Sequence, residues 1–323
     1  MPQAVAGLGP RPPRRDYEPG ALQAVAGLGP RPPRRDYELK EASMGRLEGK
    51  IAMVTGAGGE HGLGRAIAQR FAHEGADLIL TDVIATGLRV SSALKPGGWG
   101  GIEAVADEIR KRGRRVTTAL ADVRSMSEMS KVVAEALGEF GRIDILVNNA
   151  GAPGSLDKTP VVELPEEYWD TVLDTNLKGT FITSQAVARS MLERRVRGRI
   201  ISMSSQWGKK GGALRAAYCA SKFGIIGFTQ SLAQELAPAG ITVNAICPSA
   251  AETERLDHMG LRPDGSFDQR QREERIRQTG AATPLGRIAR PSDVAEVAAF
   301  LAGDAAEYIT GQSINVTGGG VMH

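Results

Sequence analysis

The amino-acid sequence predicts an α/β fold: a single doubly wound domain in which helices flank a seven-stranded parallel sheet. From residue 47 onward, short runs rich in β-branched residues alternate with longer segments whose apolar residues recur at helical spacing. Strands that alternate with helices are joined by crossover connections, which produce a parallel sheet covered on both faces. We therefore assign residues 47–323 to this domain.

Seven runs have the length and composition of buried strands. They are residues 51–55, 78–81, 116–121, 143–147, 199–203, 242–246 and 313–316. Between them, apolar residues recur three and four positions apart, as in Ile102, Val105 and Ile109, which is the spacing of one helix face. Ligands of such sheets bind beyond the carboxyl ends of the strands, so the residues that follow each strand are candidates for a site.

Residues 1–46 differ in composition from the rest of the chain. Residues 3–18 recur letter for letter as residues 23–38, and each copy is rich in Pro, Gly and Arg with few large apolar side chains. Such a segment cannot bury enough apolar surface to offset the entropy that is lost on ordering. We therefore expect a disordered N-terminal tail, with a basic docking arm as the alternative.

The net charge of the chain resides in this tail. Of the 40 Lys and Arg and the 37 Asp and Glu, the tail holds 8 and 5, which accounts for the whole formal net charge of +3. A neutral domain without a basic stripe argues against a nucleic-acid partner, because that affinity comes from neutralising phosphates. No apolar run is long enough to span a bilayer, and no apolar run follows the N-terminal arginines as an export signal requires.

The cysteine content agrees with an intracellular protein. Two cysteines, Cys219 and Cys247, lie in apolar or helical segments, and we expect reduced, buried thiols. The four histidines, His61, His73, His258 and His323, have no metal-like spacing. We therefore expect a cytoplasmic protein without membrane contact and without a metal site.

A glycine-rich turn follows the first predicted strand. The letters TGAGGEHGLGRA include the candidate cofactor-binding residues Gly56, Gly62, Leu63 and Gly64. Glycines let the backbone approach a pyrophosphate, which the positive end of the following helix attracts. Asp82 ends the second strand 18 residues after Gly64, where a carboxylate can accept hydrogen bonds from both ribose hydroxyls of an adenosine. Because its charge repels a 2′-phosphate, the pattern predicts a Rossmann-type domain that binds NAD rather than NADP.

A tyrosine and a lysine stand four residues apart in the second half of the chain. Tyr218 and Lys222 share one face of a predicted helix, and Ser205 lies thirteen residues before Tyr218 at the end of a strand. A tyrosine is a weak acid, but a fixed ammonium beside it stabilises the phenolate and allows proton exchange near neutral pH. Ser204 competes for the serine role; adjacent residues of a pleated strand point to opposite faces, and the spacing favours Ser205.

With these residues assembled, the chain from residue 47 to residue 320 resembles the short-chain dehydrogenase/reductase superfamily, in its single-domain branch. The resemblance rests on the glycine turn and on residues that follow the strands or lie in the helices between them. These residues are Asp122, Asn148, Asn149, Ala150, Gly151, Asn176, Ser205, Tyr218 and Lys222.

The resemblance implies a role for each residue. Tyr218 would be the general acid in reduction and the base in oxidation, and Ser205 would hydrogen-bond the substrate oxygen. Lys222 would stabilise the phenolate and hold the nicotinamide ribose, and Asn176 would position a water that relays protons from Lys222. The remaining cofactor contacts would be Asp122 and Val123 at the adenine, Asn149, Ala150 and Gly151 along the cofactor, and Thr253 at the nicotinamide amide.

The implied function is an NAD(H)-dependent oxidoreductase that interconverts a secondary alcohol and a ketone, as a homotetramer. Two alternatives stay open: a 3-hydroxyacyl thioester dehydrogenase or 3-oxoacyl reductase, and a non-catalytic NAD-binding regulator. Proteins of the last kind usually lose the tyrosine or the lysine, and this chain keeps both. An epimerase or dehydratase is less favoured, because relatives with that chemistry usually carry an extra C-terminal domain.

The chain departs from the family pattern in several segments. The glycine turn has five residues between Gly56 and Gly62 where three are usual, and Ser249 stands where a glycine is usual. Residues 83–100 form an insertion beside the expected adenosine pocket; similar insertions occur in relatives that act on hydroxyacyl-coenzyme A and in others whose nicotinamide does not exchange freely. A plain surface loop is the alternative.

The segment after the sixth strand, residues 254–282, is long and charged, and we interpret it as a mobile lid over the substrate. Its basic residues Arg255, His258, Arg262 and the run from 270 to 277 could meet an anionic substrate or form a solvated face. Trp207 and Leu156 are candidate walls of the substrate pocket.

Overall fold

The structure, a computed structural model, describes residues 45–86, 98–153, 158–262 and 264–323. Most of the expected N-terminal tail, residues 87–97 of the insertion, and Leu156 lie outside the described residues. The tail therefore stays a prediction.

Seven strands form one parallel sheet in the order β3-β2-β1-β4-β5-β6-β7. The strands are β1 (Ile51–Thr55), β2 (Asp77–Asp82), β3 (Val116–Leu120), β4 (Ile145–Asn148), β5 (Arg199–Met203), β6 (Thr242–Pro248) and β7 (Ser313–Val316). The order reverses direction between β1 and β4, which are neighbours in the sheet but not in the chain. The connections that leave these two strands go to opposite sides, which opens a crevice at their carboxyl ends. The prediction of a single doubly wound α/β domain with a seven-stranded parallel sheet is confirmed.

Strands β1, β5 and β7 have the predicted bounds, and the other four differ at their ends by one or two residues. The start of β4 shows the reason. Asp144 lies before the strand, and its carboxylate accepts a hydrogen bond from the backbone N–H of Ile51 at 2.9 Å. Strand ends are set by hydrogen bonds to the neighbouring strand, which the local sequence does not display.

Helices cover both faces of the sheet. They are α1 (Leu63–His73), α2 (Gly101–Arg110), α3 (Met126–Phe140), α4 (Glu166–Leu173), α5 (Gly179–Glu193), α6 (Ala216–Leu236), α7 (Gln269–Ala281) and α8 (Pro291–Ala302). Helices α1, α2 and α8 pack on one face and α3, α5 and α6 on the other, each through an apolar stripe. Phe71 of α1, for example, is fully buried, and burial of such a side chain stabilises the fold by about 1.5–3 kcal/mol.

The last helix, α8, begins at Pro291. A proline fits the first turn of a helix because the N–H that it lacks has no partner there, but it breaks a helix interior. Within the described ranges, none of the helices combines the length and the apolarity that a bilayer crossing demands.

Candidate active site

The glycine-rich turn between β1 and α1 brings backbone close to backbone. Gly56 has a φ of +67°, and a Cβ there would lie 2.8 Å from the Cα of Ala150. A Cβ on Gly64 would lie 2.3 Å from the carbonyl oxygen of Gly56. These two glycines are required by space and conformation. Gly62 caps the N-terminus of α1, and the nearest atom to a Cβ there would be 3.6 Å away, so its role is not steric.

Thr55 and Asn149 tie the ends of β1 and β4 together. The hydroxyl oxygen of Thr55 accepts hydrogen bonds from the backbone N–H groups of Asn149 and Ala150, each at 3.0 Å. The amide nitrogen of Asn149 donates to the carbonyl oxygens of Thr55 and Gly56, each at 2.9 Å. Sequence reasoning missed Thr55; a polar residue at the end of an otherwise apolar strand was the available signal.

Asp82 lies buried at the carboxyl end of β2, beside the glycine turn. One carboxylate oxygen accepts a hydrogen bond from the N–H of Gly58 at 2.8 Å, and the other accepts one from the N–H of Val83 at 2.8 Å. Burial raises the pKa of the Asp82 carboxyl, and the hydrogen bonds from the backbone partly oppose this rise. The residue is therefore placed where the sequence predicts a carboxylate for the ribose.

The end of the insertion packs against the same turn. The indole N–H of Trp99 donates to the carbonyl oxygen of Gly58 at 2.8 Å. The guanidinium carbon of Arg65 lies 4.9 Å from the centre of the Trp99 ring, and Arg65 also pairs with Glu108 of α2. The described end of the insertion thus packs against the glycine-rich turn, and its position beside an adenosine stays a prediction.

Asp122 and Val123 follow β3, and both side chains are held by protein contacts. The Asp122 carboxylate pairs with Arg124 at 2.6 Å, and hydrogen bonds from that guanidinium lower the pKa of the Asp122 carboxyl. Val123 is buried, and a Cβ on Gly179 would lie 2.7 Å from its Cγ2. Any contact of this loop with an adenine would therefore be made mainly by its backbone atoms.

Tyr218 and Lys222 lie one turn apart on α6, as the spacing predicts. The ammonium nitrogen of Lys222 lies 5.6 Å from the centre of the Tyr218 ring. It is buried and donates a hydrogen bond to the carbonyl oxygen of Met203, the last residue of β5, at 2.7 Å. Burial, and to a lesser extent the charge of Arg255, lowers the pKa of Lys222 to about 7.

The two serines after β5 point to different partners. The hydroxyl of Ser204 is buried and donates to the carbonyl oxygen of Lys222 at 2.8 Å, so it anchors α6 to the sheet. The hydroxyl oxygen of Ser205 accepts a hydrogen bond from the N–H of Trp207 at 3.2 Å. Ser204 is thus committed to the scaffold, and Ser205 keeps its hydroxyl hydrogen for another acceptor.

Asn176 lies in a π-helical segment, Asp174–Lys178, between α4 and α5. Its side chain is buried; the amide oxygen accepts from the N–H of Ala152 at 2.9 Å, and the amide nitrogen donates to the hydroxyl of Ser221 at 3.0 Å. π-Helical turns place a residue differently from a regular helix and recur at functional sites. Asn176 therefore links the loop after β4 to the helix that carries Tyr218. Sequence reasoning did not single out Ser221, although it precedes Lys222.

The start of the lid segment, residues 254–282, enters the crevice. Thr253 is buried and precedes a 3-10 helix, Glu254–Gly260. A carboxylate oxygen of Glu254 accepts a hydrogen bond from the N–H of His61 in the glycine turn at 2.5 Å. The guanidinium carbon of Arg255 lies 5.8 Å from the centre of the Tyr218 ring. The lid segment therefore contacts both the glycine turn and Tyr218.

The two cysteines, Cys219 and Cys247, are buried and are not joined by a disulfide. Burial raises the pKa of the Cys247 thiol. Across the described ranges, no group of three or more His, Cys, Asp or Glu side chains could hold a metal ion.

The site residues meet in one crevice at the carboxyl edge of the sheet, and comparisons with known proteins agree with this arrangement. The family model described as enoyl-(acyl carrier protein) reductase matches residues 56–320. The chain is 38% identical over 277 residues to a sorbitol dehydrogenase of Cereibacter sphaeroides, an alignment that covers 86% of this chain and 99% of that protein. It is 36% identical over 276 residues to a 3-oxoacyl-(acyl-carrier-protein) reductase of Vibrio cholerae, covering 85% and 99%.

A solved structure has the same fold. Carveol dehydrogenase from Mycobacterium avium, crystallised in complex with NAD, superposes with a TM-score of 0.75 at 30% identity, over 85% of this chain and 99% of that one. The fold and the site define an oxidoreductase of the α/β class that acts on CH–OH groups. The chain belongs to the short-chain dehydrogenase/reductase family.

Proposed function

We propose that this protein interconverts a secondary alcohol and a ketone with NAD(H) as its cofactor and Tyr218 as its acid–base residue. The observation that carries the proposal is the buried ammonium of Lys222, 5.6 Å from the Tyr218 ring. A cation fixed beside a phenol stabilises the phenolate, which is the form that accepts a proton from an alcohol. The related carveol dehydrogenase that binds NAD supports the choice of cofactor.

The residues of the crevice fit a nicotinamide dinucleotide. Gly56 and Gly64 leave no room for a Cβ, so the turn backbone is bare where a pyrophosphate approaches. The buried carboxylate of Asp82 holds the adenosine ribose and disfavours a 2′-phosphate. The other contacts fall to the residues predicted for the cofactor, namely Gly62, Leu63, Asp122, Val123, Asn149, Ala150, Gly151, Thr253, Tyr218 and Lys222.

When bound, the nicotinamide ring supplies the acceptor or donor of the hydride. Tyr218 takes the proton that the substrate hydroxyl loses in oxidation and returns it in reduction. Ser205 donates its hydroxyl hydrogen to the substrate oxygen and so orients it toward Tyr218. Lys222 is fixed by the carbonyl of Met203 and keeps its charge beside the phenol.

Asn176 positions this machinery. Its amide connects the N–H of Ala152 with Ser221 on α6, so it fixes the distance between the loop after β4 and the catalytic helix. We assign to it the placement of a water that passes protons from Lys222 to solvent. The backbone of its π-helical segment provides carbonyl groups outside the regular helical pattern, which suits a water site.

The substrate of a second candidate function is a 3-oxoacyl thioester. The identity of 36% with a 3-oxoacyl-(acyl-carrier-protein) reductase favours it. The same four residues, Asn176, Ser205, Tyr218 and Lys222, would then act on a carbonyl two bonds from the thioester.

We also propose that the enzyme is a cytoplasmic homotetramer. Phe181 of α5 packs against Phe228 of α6, with ring centres 6.2 Å apart in an edge-to-face arrangement. Phe181 is 42% exposed and Phe223 of α6 is 47% exposed, and exposed aromatic surface is typical of subunit contacts. Light scattering of the purified chain measures the assembly directly.

The test follows NADH by its absorbance with a panel of secondary alcohols and 3-hydroxyacyl thioesters, comparing NAD with NADP. Tyr218→Phe should lower kcat by about 10²- to 10⁴-fold without weakening NAD binding. Tyr308→Phe is the matched control, because Tyr308 is 100% exposed. Turnover that survives in Tyr218→Phe, or tight NAD binding without turnover in the wild type, would contradict the proposal.

A further inference from the structure

The basic side chains of the lid segment have different environments. Three of its six arginines pair with carboxylates of the same segment. These pairs are Arg262 with Asp268, Arg272 with Asp257, and Arg277 with Glu274. Arg255 has no such partner, because no carboxylate of the described residues lies within ion-pair distance of its guanidinium group.

Arg255 extends to the centre of the catalytic crevice. Its guanidinium carbon lies 5.8 Å from the centre of the Tyr218 ring. A Cβ on Gly151 would lie 3.2 Å from its Nη1 and 3.2 Å from the amide oxygen of Asn176. The positive charge of Arg255 is therefore next to the position where the substrate carbonyl meets the tyrosine.

Two more cations flank the same opening. The guanidinium carbon of Arg215 lies 4.9 Å from the centre of the Trp207 ring, and the ammonium nitrogen of Lys210 lies 5.4 Å from it. Arg215 is the N-cap residue of α6, three residues before Tyr218. Neither cation takes part in an ion pair with a described carboxylate.

The pKa of His258 indicates that the electrostatic potential at this opening is positive. Burial, followed by the charges of Lys158, Arg215 and Arg255, lowers its pKa to about 4, so it is neutral at ordinary pH. Its Nδ1 lies 2.7 Å from the carbonyl oxygen of Arg255, which can only accept, so the proton is on Nδ1. His258 is thus excluded as an anion-binding cation and instead fixes the backbone from which Arg255 projects.

The nearby acidic side chains of the lid segment are directed elsewhere. Glu254 accepts from the N–H of His61 in the glycine turn, and Asp257 pairs with Arg272 at 3.0 Å. Arg255 and Lys222 therefore repel each other without an intervening carboxylate from the described residues. An anion that binds beside two like positive charges in a partly dehydrated crevice offsets their mutual repulsion.

We propose that the substrate carries a carboxylate close to its reacting carbon, and that Arg255 binds this carboxylate. A guanidinium group presents two parallel N–H donors, which match the two oxygens of a carboxylate. Arg215 and Lys210 attract the anion to the opening. This inference rests on the proposed function, and it narrows the substrate to a hydroxy acid and the corresponding oxo acid.

The experiment compares kcat/KM for short 2- and 3-hydroxy acids with kcat/KM for their methyl esters and for neutral secondary alcohols of similar size. The variants are Arg255→Met, which keeps an unbranched apolar stem without the charged end group, and Arg255→Lys, which keeps the charge without the two parallel N–H donors. Arg277→Met is the matched control, because Arg277 lies on α7 and is 73% exposed.

We expect the wild type and Arg277→Met to prefer the acid to its ester. In Arg255→Met this preference should fall by about 10- to 100-fold, the range for loss of a hydrogen bond to a charged group. Arg255→Lys should recover part of it. Isothermal titration of a short 2-oxo acid into the protein with NADH should show the same order of affinities without turnover.

Three results would overturn the inference. A wild type that oxidises neutral alcohols or esters as well as acids would agree with the proposed function but contradict the claim that the substrate carries a carboxylate. A preference for thioesters or phosphate esters over free acids assigns the cations to another anionic group. A loss of NAD affinity in Arg255→Met equal to the loss of acid affinity places Arg255 in the cofactor site. Absence of turnover and of NAD binding with every substrate would instead contradict the proposed function itself.

Discussion

The ammonium nitrogen of Lys222 lies 2.7 Å from the carbonyl oxygen of Met203 and donates a hydrogen bond to it. This bond joins the catalytic helix α6 to the end of β5 in the interior of the protein. The bond compensates only partly for the removal of a charge from water, so burial lowers the pKa of Lys222 to about 7. The residue that supports Tyr218 thus lowers the stability of the fold while it is protonated.

This cost should depend on pH. In the unfolded chain Lys222 has the ordinary lysine pKa of 10.5, and in the fold its pKa is about 7. Between these values the unfolded chain binds more protons, so the free energy of unfolding rises with pH. The stability of the wild type relative to Lys222→Met should therefore increase as pH rises through this window, which urea unfolding at several pH values measures. Lys131→Met, at a side chain that is 76% exposed, should show no such trend.

Substitution by alanine should be destabilising at one glycine of the turn and tolerated at another. Gly64→Ala places a Cβ 2.3 Å from the carbonyl oxygen of Gly56, so the backbone must shift. We expect a loss of about 1–3 kcal/mol of stability, together with weaker NAD binding. Gly62→Ala has no protein atom nearer than 3.6 Å to the added Cβ and serves as the control in thermal unfolding. Equal effects of the two changes would refute the steric account of this turn.

Substitution of the two serines after β5 should have different effects, one on stability and the other on activity. Ser204→Ala removes the side-chain donor to the carbonyl of Lys222, and we expect the free energy of unfolding to fall by about 1 kcal/mol. Ser205→Ala should lower kcat/KM by about 10- to 100-fold with little change in stability, because in the proposed mechanism its hydroxyl hydrogen-bonds the substrate oxygen. A Ser205→Ala enzyme with full activity would remove Ser205 from the mechanism.

NAD affinity should weaken in mild acid. Burial raises the pKa of Asp82 above that of an ordinary aspartate, so its carboxylate is lost at a higher pH than usual as the solution is acidified. Because the ionised form accepts the ribose hydroxyls, the dissociation constant for NAD should rise through this pKa. Asp82→Asn should bind NAD about 10-fold more weakly and without this pH dependence, as calorimetry can show. Asp107→Asn, at a side chain that is 62% exposed, is the control.

Much of the fold could be predicted because its signals are local. The bounds of β1, β5 and β7 follow from apolar runs that end at turn residues, and the spacing of Tyr218 and Lys222 follows from the period of a helix. The start of β4 could not be read correctly, because it depends on contacts with β1.

The site residues divide in the same way, into those that a local pattern predicts and those that depend on tertiary contacts. The glycine turn, Asp82 and the Tyr218–Lys222 pair are expressed in single short segments, so the sequence predicts a dinucleotide-binding oxidoreductase. Other contacts join residues that are far apart in the chain, namely those of Thr55, Ser221 and the carbonyl of Met203. A local sequence pattern carries no information about hydrogen bonds of this kind.

By itself, the sequence determined the class of fold and the cofactor pattern and predicted the acid–base residue, because each is a property of spacing within one element or one loop. Only the tertiary structure decided which serine faces the crevice, which lid arginine reaches Tyr218, and how far burial shifts the pKa of Lys222. Those outcomes depend on the distances between side chains from different elements and on their removal from water, which arise only when the sheet and its helices pack together.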